Sequence, residues 1–382
     1  MTGGRAALAG AAALFVGVGI GRFGYPPLIP VIVQEGLVSA TAANLAAATN
    51  FLGYLAGALS AAGAARRLGL RRALILALAL TSVSFLACAL PGSGATALAF
   101  WRFVSGVTGG LLMILTPRTV LAQVPPERRG MISGLMFSGV GLGMAAAGAA
   151  LPWIGARGAL YAFISLGAVT AAAGLASWRL MPAASAAPPT EASAPAPRWR
   201  GPLLGLLIAY CGFGAGYAGH TIFMVDYVSR GLGLGYAAGS AAWILMGCGA
   251  VGGVFFWGRL ADRFGAARIV RAAQAAMALF VALAALSAEP SVLYLSAFGA
   301  GACGIALGAL TAQRAAELAG LAAFTQTWAA LTILFSLFQA GAGYALAYVF
   351  ARSGSYPLLF ALCAVSLAAT ITAEYFLARK KS

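Results

Sequence analysis

The chain has 382 residues, of which 62% are hydrophobic and 8% charged, with mean hydropathy +0.92 and a formal net charge of +16. Soluble domains carry roughly a quarter charged residues, so this composition excludes an ordinary soluble protein and puts most of the chain in lipid. The basic residues sit in short clusters between apolar runs, which is a mark of membrane topology and argues against a nucleic-acid partner.

Twelve apolar segments are long enough to cross a hydrocarbon core, which needs about 20 helical residues. They are 8–33, 41–64, 73–91, 95–117, 130–152, 158–178, 202–228, 236–257, 268–287, 290–312, 322–350 and 355–378. Arg5 before the first run gives it the look of a signal peptide. The run continues to Val33 and more spans follow, so an uncleaved first helix is expected. The segments are too long and too uniformly apolar for barrel strands, so helices are expected throughout. Gly and Ala dominate them, which suits close helix packing in lipid. Cys88, Cys211, Cys248, Cys303 and Cys363 lie inside apolar runs without CxxC spacing, and read as reduced packing thiols.

Between the sixth and seventh spans lies "MPAASAAPPTEASAPAPRWRG", 181–201, a Pro-, Ala- and Ser-rich linker. It divides the chain into 1–180 and 202–382. An even span count puts both termini on one side. That side carries 19 of the 24 basic residues, among them Arg66, Arg67, Arg71, Arg72, Arg263 and Arg268. The other side carries Arg157, Arg230 and Arg352. The positive-inside rule makes the first side cytoplasmic. Arg22 and Arg102 remain inside the membrane.

The two parts resemble each other. A shift of 195 places Gly17, Gly19, Gly21 and Gly24 on Gly212, Gly214, Gly216 and Gly219. "RRLGLRR", 66–72, lies about 196 residues before "DRFGAAR", 262–268. This predicts an all-α membrane protein of twelve transmembrane helices in two pseudo-symmetric six-helix bundles, related by an axis normal to the membrane.

"GRLADRFGAAR", 258–268, resembles the signature loop of the major facilitator superfamily, with Gly258, Leu260, Asp262, Arg263 and Gly265 at the family's spacing. The resemblance implies that Gly258, Asp262, Arg263 and Gly265 form a cytoplasmic gate that locks helix ends in one state. In the first-half copy the Asp position is Arg66, a departure from the pattern. "RFVSGVTGG", 102–110, is similar to the family's fourth helix, and "GIGRFGYPPLIP", 19–30, to its YbfB/YjiJ-like branch. The family implies secondary transport by alternating access.

Arg22 needs an explanation, because an arginine near mid-bilayer costs about 3 to more than 10 kcal/mol. Pro26 removes the donor for the carbonyl of Arg22, and Pro30 the donor for that of Pro26. Open backbone at this depth survives only beside protein or water. A polar cavity beside Arg22 is therefore expected. The repeat pairs Arg22 with Tyr217 and Tyr25 with His220, on the two sides of that cavity. The acids lie away from mid-membrane, so Arg22 and Arg102 favour an anion, a substrate carboxylate being the simplest. Alternatively, freed carbonyls with Asn50, Tyr25 and water satisfy Arg22, and Arg102 is scaffold. His220 is either a proton carrier or a packing histidine. Tyr210, Phe213, Tyr217 and Thr221 share a helical face with it. Thr325, Trp328, Thr332, Ser336 and Gln339, with Gln326 beside them, form an inward stripe. Asn50 and Tyr54, and Trp243 as a cavity wall, complete the candidate substrate site.

The expected function is secondary active transport of a small organic anion, coupled to protons, by a monomer in the bacterial inner membrane with both termini cytoplasmic. The partners are that substrate and the lipid bilayer. No cofactor, metal or catalytic set is expected, since no phosphate loop or Ser-His-Asp set can be assembled. Two alternatives stay open: efflux of neutral or amphipathic compounds, and a membrane-embedded sensor on a transporter scaffold.

Overall fold

Three prolines decide the shape of the first span. The computed structural model describes residues 2–90, 94–121, 124, 129–181 and 199–379, with side chains at 2, 3, 129–131, 151, 321, 322, 325, 378 and 379 left out. The expected single helix over 8–33 is instead broken. Helix α1 (Thr2–Leu14) runs into a π-helical stretch, Phe15–Ile20. Its widened turns show in Gly21 N donating to Val16 O at 2.8 Å and Phe23 N to Val18 O at 3.1 Å. Residues 21–25 are irregular. A 3-10 turn, Pro26–Leu28, then leads into α2 (Ile29–Gln34). Pro26, Pro27 and Pro30 have no N–H, so the carbonyls of Arg22, Phe23 and Pro26 lose their α-helical donors. Ile29 N recovers the Pro26 carbonyl through the tighter turn. The other two are left to side chains.

The remaining helices are α3 (Ala40–Leu68), α4 (Leu70–Cys88), α5 (Gly94–Leu121), α6 (Arg129–Gly155) and α7 (Ala159–Leu180). After 182–198, which lies outside the described residues together with most of the expected linker, come α8 (Pro202–Asp226), α9 (Gly235–Phe264), α10 (Ala266–Leu286), α11 (Pro290–Ser353) and α12 (Tyr356–Arg379). Among the described residues, eleven helical stretches are long and apolar enough to cross a membrane. They coincide with the second to twelfth expected spans. The tenth and eleventh, Pro290–Gly320 and Gln326–Ser353, are two spans that share the label α11 and are separated by a break at Gly320, where φ is +73°. The stretch up to that break, "TAQRAAELAG", is built of helix formers and joined by an Arg314–Glu317 pair at 2.9 Å, so only the glycine interrupts it.

Glycines set how the helices cross. A Cβ on Gly53 would collide with the Phe103 carbonyl, one on Gly57 with the Val107 carbonyl, and one on Gly106 with the Asn50 carbonyl, so α3 and α5 touch backbone to backbone. A shift of 195 or 196 finds the same crossing again. Gly249 meets the Phe298 carbonyl, Gly253 the Ala302 carbonyl and Gly301 the Met246 carbonyl, between α9 and α11. The turns below repeat as well. Gly69 and Gly265 have φ of +81° and +86°, values at which a side chain would be strained. The internal repeat is thus carried by matched contacts as well as by sequence. Residues up to 181 and from 199 onward meet along α6–α9, where Gly141 and Gly247 approach closely, and along α3–α11, where Gly343 lies on Ala48 and Phe51.

Candidate functional site

The irregular turn at 21–25 is the centre of the site, and neighbouring helices supply the donors its backbone lacks. Arg102 on α5 donates from Nη1 to the Gly21 carbonyl at 2.9 Å and from Nη2 to the Arg22 carbonyl at 3.3 Å. Ser105 Oγ, one turn on, donates to the Gly21 carbonyl at 2.7 Å. Trp243 on α9 donates from Nε1 to the Phe23 carbonyl at 3.0 Å. Both carbonyls opened by Pro26 and Pro27 are therefore satisfied, one from each half of the chain. The Arg102 guanidinium also lies 4.6 Å from the Tyr25 ring centre. Tyr25 is anchored by its hydroxyl on the Ala43 carbonyl at 3.0 Å, and Asn50 Nδ2 donates to the Arg102 carbonyl at 3.0 Å. Arg102, Tyr25 and Asn50 thus brace the broken turn.

The Arg22 guanidinium has side chains and rings around it in place of backbone carbonyls. It is 7% exposed and has no ion pair among the described residues. Its Nη2 donates to Gln339 Oε1 on α11, across the boundary between the halves. Its guanidinium carbon lies 4.5 Å from the Phe51 ring centre, 5.2 Å from that of Tyr54 and 5.1 Å from that of Phe23. The hydroxyls of Tyr54, Tyr210 and Tyr217 are within its electrostatic range. Around it, Arg22 Nε, Gln339 Nε2 and the Tyr217 hydroxyl are buried with no hydrogen-bond partner. Below Tyr217 runs a column of rings on α8 and α11. Phe213 stacks on Tyr217 at 5.5 Å and meets Phe335 at 5.2 Å; Phe335 stacks on Tyr210 at 4.8 Å.

A family model described as "Uncharacterised MFS-type transporter YbfB" matches residues 14–374. The chain belongs to this family. It is therefore a transporter of the major facilitator superfamily and not an enzyme. The fold agrees. It is similar to the D-xylose-proton symporter, with 16% identity, 98% of this chain and 96% of that chain covered and a TM-score of 0.75. It is similar also to a mutant of the nucleoside transporter NupG, with 12% identity, coverage of 98% and 99% and a TM-score of 0.75. At such identities the likeness speaks for the fold alone. A search of curated proteins gives no match.

Seen as a YbfB-like MFS transporter, the chain gathers some of the expected site residues and disperses others. Arg22, Tyr54, Tyr217 and Gln339 come together. Trp243, expected as a cavity wall, is fully buried as a donor to the turn. The Thr221 hydroxyl turns back onto its own helix, at 3.1 Å from the Tyr217 and Ala218 carbonyls. Gln326 is half-buried on α11, and the Thr325 side chain lies outside the described residues. His220 is buried among later helices, with Ser296 Oγ at 2.8 Å and the Phe360 ring at 4.9 Å. Ser296 donates its one hydroxyl proton to the Phe280 carbonyl at 2.6 Å, so it must accept from His220. That assigns the Nε2–H tautomer and leaves Nδ1 without a partner.

In the signature loop, Gly265 makes the left-handed turn and Gly258 has open space around it. Asp262 is exposed and makes no ion pair among the described residues; Arg263 lies over the Phe264 ring at 5.2 Å. By contrast, polar contacts do cross between the halves from Arg22 toward the Gln34 end: Trp243 to the Phe23 carbonyl, Thr49 Oγ1 to the Tyr344 hydroxyl at 2.9 Å, and Tyr236 to Gln34 Oε1 at 2.5 Å. Sequence reasoning missed the bracing role of Trp243 and the part played by Phe51 and Phe335. Pro27 was the available signal for the first, because it strips the Phe23 carbonyl of its donor. Phe335 stands four residues before Gln339, one turn away on the same helix.

Proposed function

We propose that the protein carries a small organic anion of carboxylate type across the bacterial inner membrane, with Arg22 as its anchor. One observation carries this: a buried guanidinium without a carboxylate among the described residues, flanked by unpartnered donors on Gln339 and Tyr217. Three donors and a positive charge at one place call for a ligand that brings acceptor oxygens. The described acids are engaged elsewhere or exposed. Glu35 accepts from Ala159 N at 2.9 Å, Asp226 pairs with Arg230 and Glu374 with Arg271 at 2.6 Å. With the clustered arginines inside, the cross-half contacts seal the outer side and the unpaired Asp262 end is the cytoplasmic one. Arg102 serves the backbone and positions Arg22.

The test is ligand-induced stabilisation of the purified protein by a panel of organic acids. The expected result is a rise in Tm with carboxylates that disappears in Arg22→Gln. Equal stabilisation of Arg22→Gln removes the assignment. Proton coupling belongs to the same proposal, with His220 Nδ1 the atom that takes the proton. His220→Gln should then lose accumulation driven by a pH gradient but keep anion exchange across liposomes. Undiminished gradient-driven accumulation contradicts that role.

A further inference from the structure

The anion site continues without a break into the aromatic column, and the two together define a narrower ligand. We propose that the substrate is an aromatic monocarboxylate, its carboxylate held by Arg22, Gln339 and Tyr217 and its ring received by Tyr210, Phe213 and Phe335. This rests on the anion reading above and deepens it.

The head of the site sets the charge. Arg22 is buried and its Nε lacks a partner, while the two terminal nitrogens of Arg102 are spent on the Gly21 and Arg22 carbonyls. Arg102 keeps its charge and an unpartnered Nε, but both its terminal nitrogens are on backbone carbonyls, so Arg22 is the guanidinium beside Gln339 and Tyr217 and the head of the site holds one carboxylate. A second buried carboxylate would lack terminal guanidinium donors, which is costly. The unmet donors also match in kind. Gln339 Nε2 and the Tyr217 hydroxyl can each give a hydrogen bond to a carboxylate whose charge Arg22 balances.

The body of the site sets the shape. Tyr217 is held flat against Gly304, where a Cβ would come within 2.6 Å of its Cζ, so its hydroxyl position follows from the absence of a side chain there. Below it, Phe213, Phe335 and Tyr210 succeed one another at centroid distances of 5.2 Å and 4.8 Å, and Trp328 adjoins Tyr210 at 5.9 Å. Rings at such distances favour another ring over an aliphatic chain of equal area, through face and edge electrostatics. They also pack on one another, so a substrate ring enters by replacing one of these contacts.

The experiment uses the full-length protein in detergent, with binding followed by stabilisation and by competition. The probes are benzoate, cyclohexanecarboxylate, acetate, terephthalate and benzamide. Benzoate should bind about tenfold or more tightly than cyclohexanecarboxylate or acetate, the ratio that about 1.4 kcal/mol of ring contact supplies. Terephthalate, which has the ring but a second carboxylate to bury, should also bind about tenfold or more weakly than benzoate. Benzamide should not bind. Phe335→Leu should cut the affinity ratio of benzoate to cyclohexanecarboxylate severalfold, and an unchanged ratio would overturn the placement of the ring at Phe335. Arg22→Gln should lose all carboxylates. If the aliphatic acids bind as well as benzoate, and do so through Arg22, the aromatic assignment falls and the anion reading survives. If terephthalate binds as tightly as benzoate, the single-charge assignment falls. If benzamide matches benzoate, or Arg22→Gln binds benzoate unchanged, the anion reading itself falls.

Discussion

Two arginines are buried about one turn of backbone, and their hydrogen bonds separate their roles. Arg102 gives its terminal nitrogens to carbonyls that Pro26 and the irregular turn left open. Arg22 gives one to the Gln339 side chain; the Nε of both is unmatched, so the terminal nitrogens make the difference. The variants should therefore fail differently. Arg102→Met leaves the buried Arg22 carbonyl without its donor, at about 1–3 kcal/mol, and the Gly21 carbonyl with Ser105 alone, and should lower the Tm of the unliganded protein clearly. Arg22→Gln removes a buried charge and should leave that Tm near wild type or above it. Equal losses of Tm in the two variants would contradict the division. That both arginines are buried was legible from the apolar runs around them. Which one braces the turn was not, because it depends on α5 meeting the turn at residues 21–25, a contact with no local signature. His220 shows the same limit: its helical face was readable, but its partner Ser296 lies 76 residues away.

At the scale of an element, the broken first span ties its own backbone to a helix of the other half. Pro27 frees the Phe23 carbonyl, and the donor that answers it, Trp243, belongs to the other half of the chain. Closure at the Gln34 end is thus stabilised by a bond that an unbroken helix could not offer. Trp243→Phe keeps an aromatic ring beside Phe23 and removes the donor. It should shift the population toward opening at that end about fivefold or more, since an unpaired buried carbonyl costs about 1–3 kcal/mol. Spin labels on Leu37→Cys and Leu234→Cys, both exposed, with the exposed Cys248 replaced by Ala, would report this as a longer distance. An unchanged distance distribution would contradict it. The break itself was only half legible. Its prolines were visible, but the span around them is apolar enough to resemble a single helix from 8 to 33.

For the whole molecule, the repeat was readable from Gly17, Gly19, Gly21 and Gly24 against Gly212, Gly214, Gly216 and Gly219, and the helix crossings add a second set of glycines that the sequence reading did not use. Gly53, Gly57 and Gly106 recur as Gly249, Gly253 and Gly301, and each removes the side chain that would keep two helices apart. What the repeat does not carry over is the chemistry. Arg22 faces Tyr217, Tyr25 corresponds to His220, and Asn50 corresponds to Met246. The halves pack alike and differ at these positions. The most direct measurement is uptake of a labelled aromatic monocarboxylate into liposomes holding the wild-type protein or Arg22→Gln at matched incorporation. Saturable uptake by the wild type and background uptake by the variant are predicted; equal uptake by both would contradict the account.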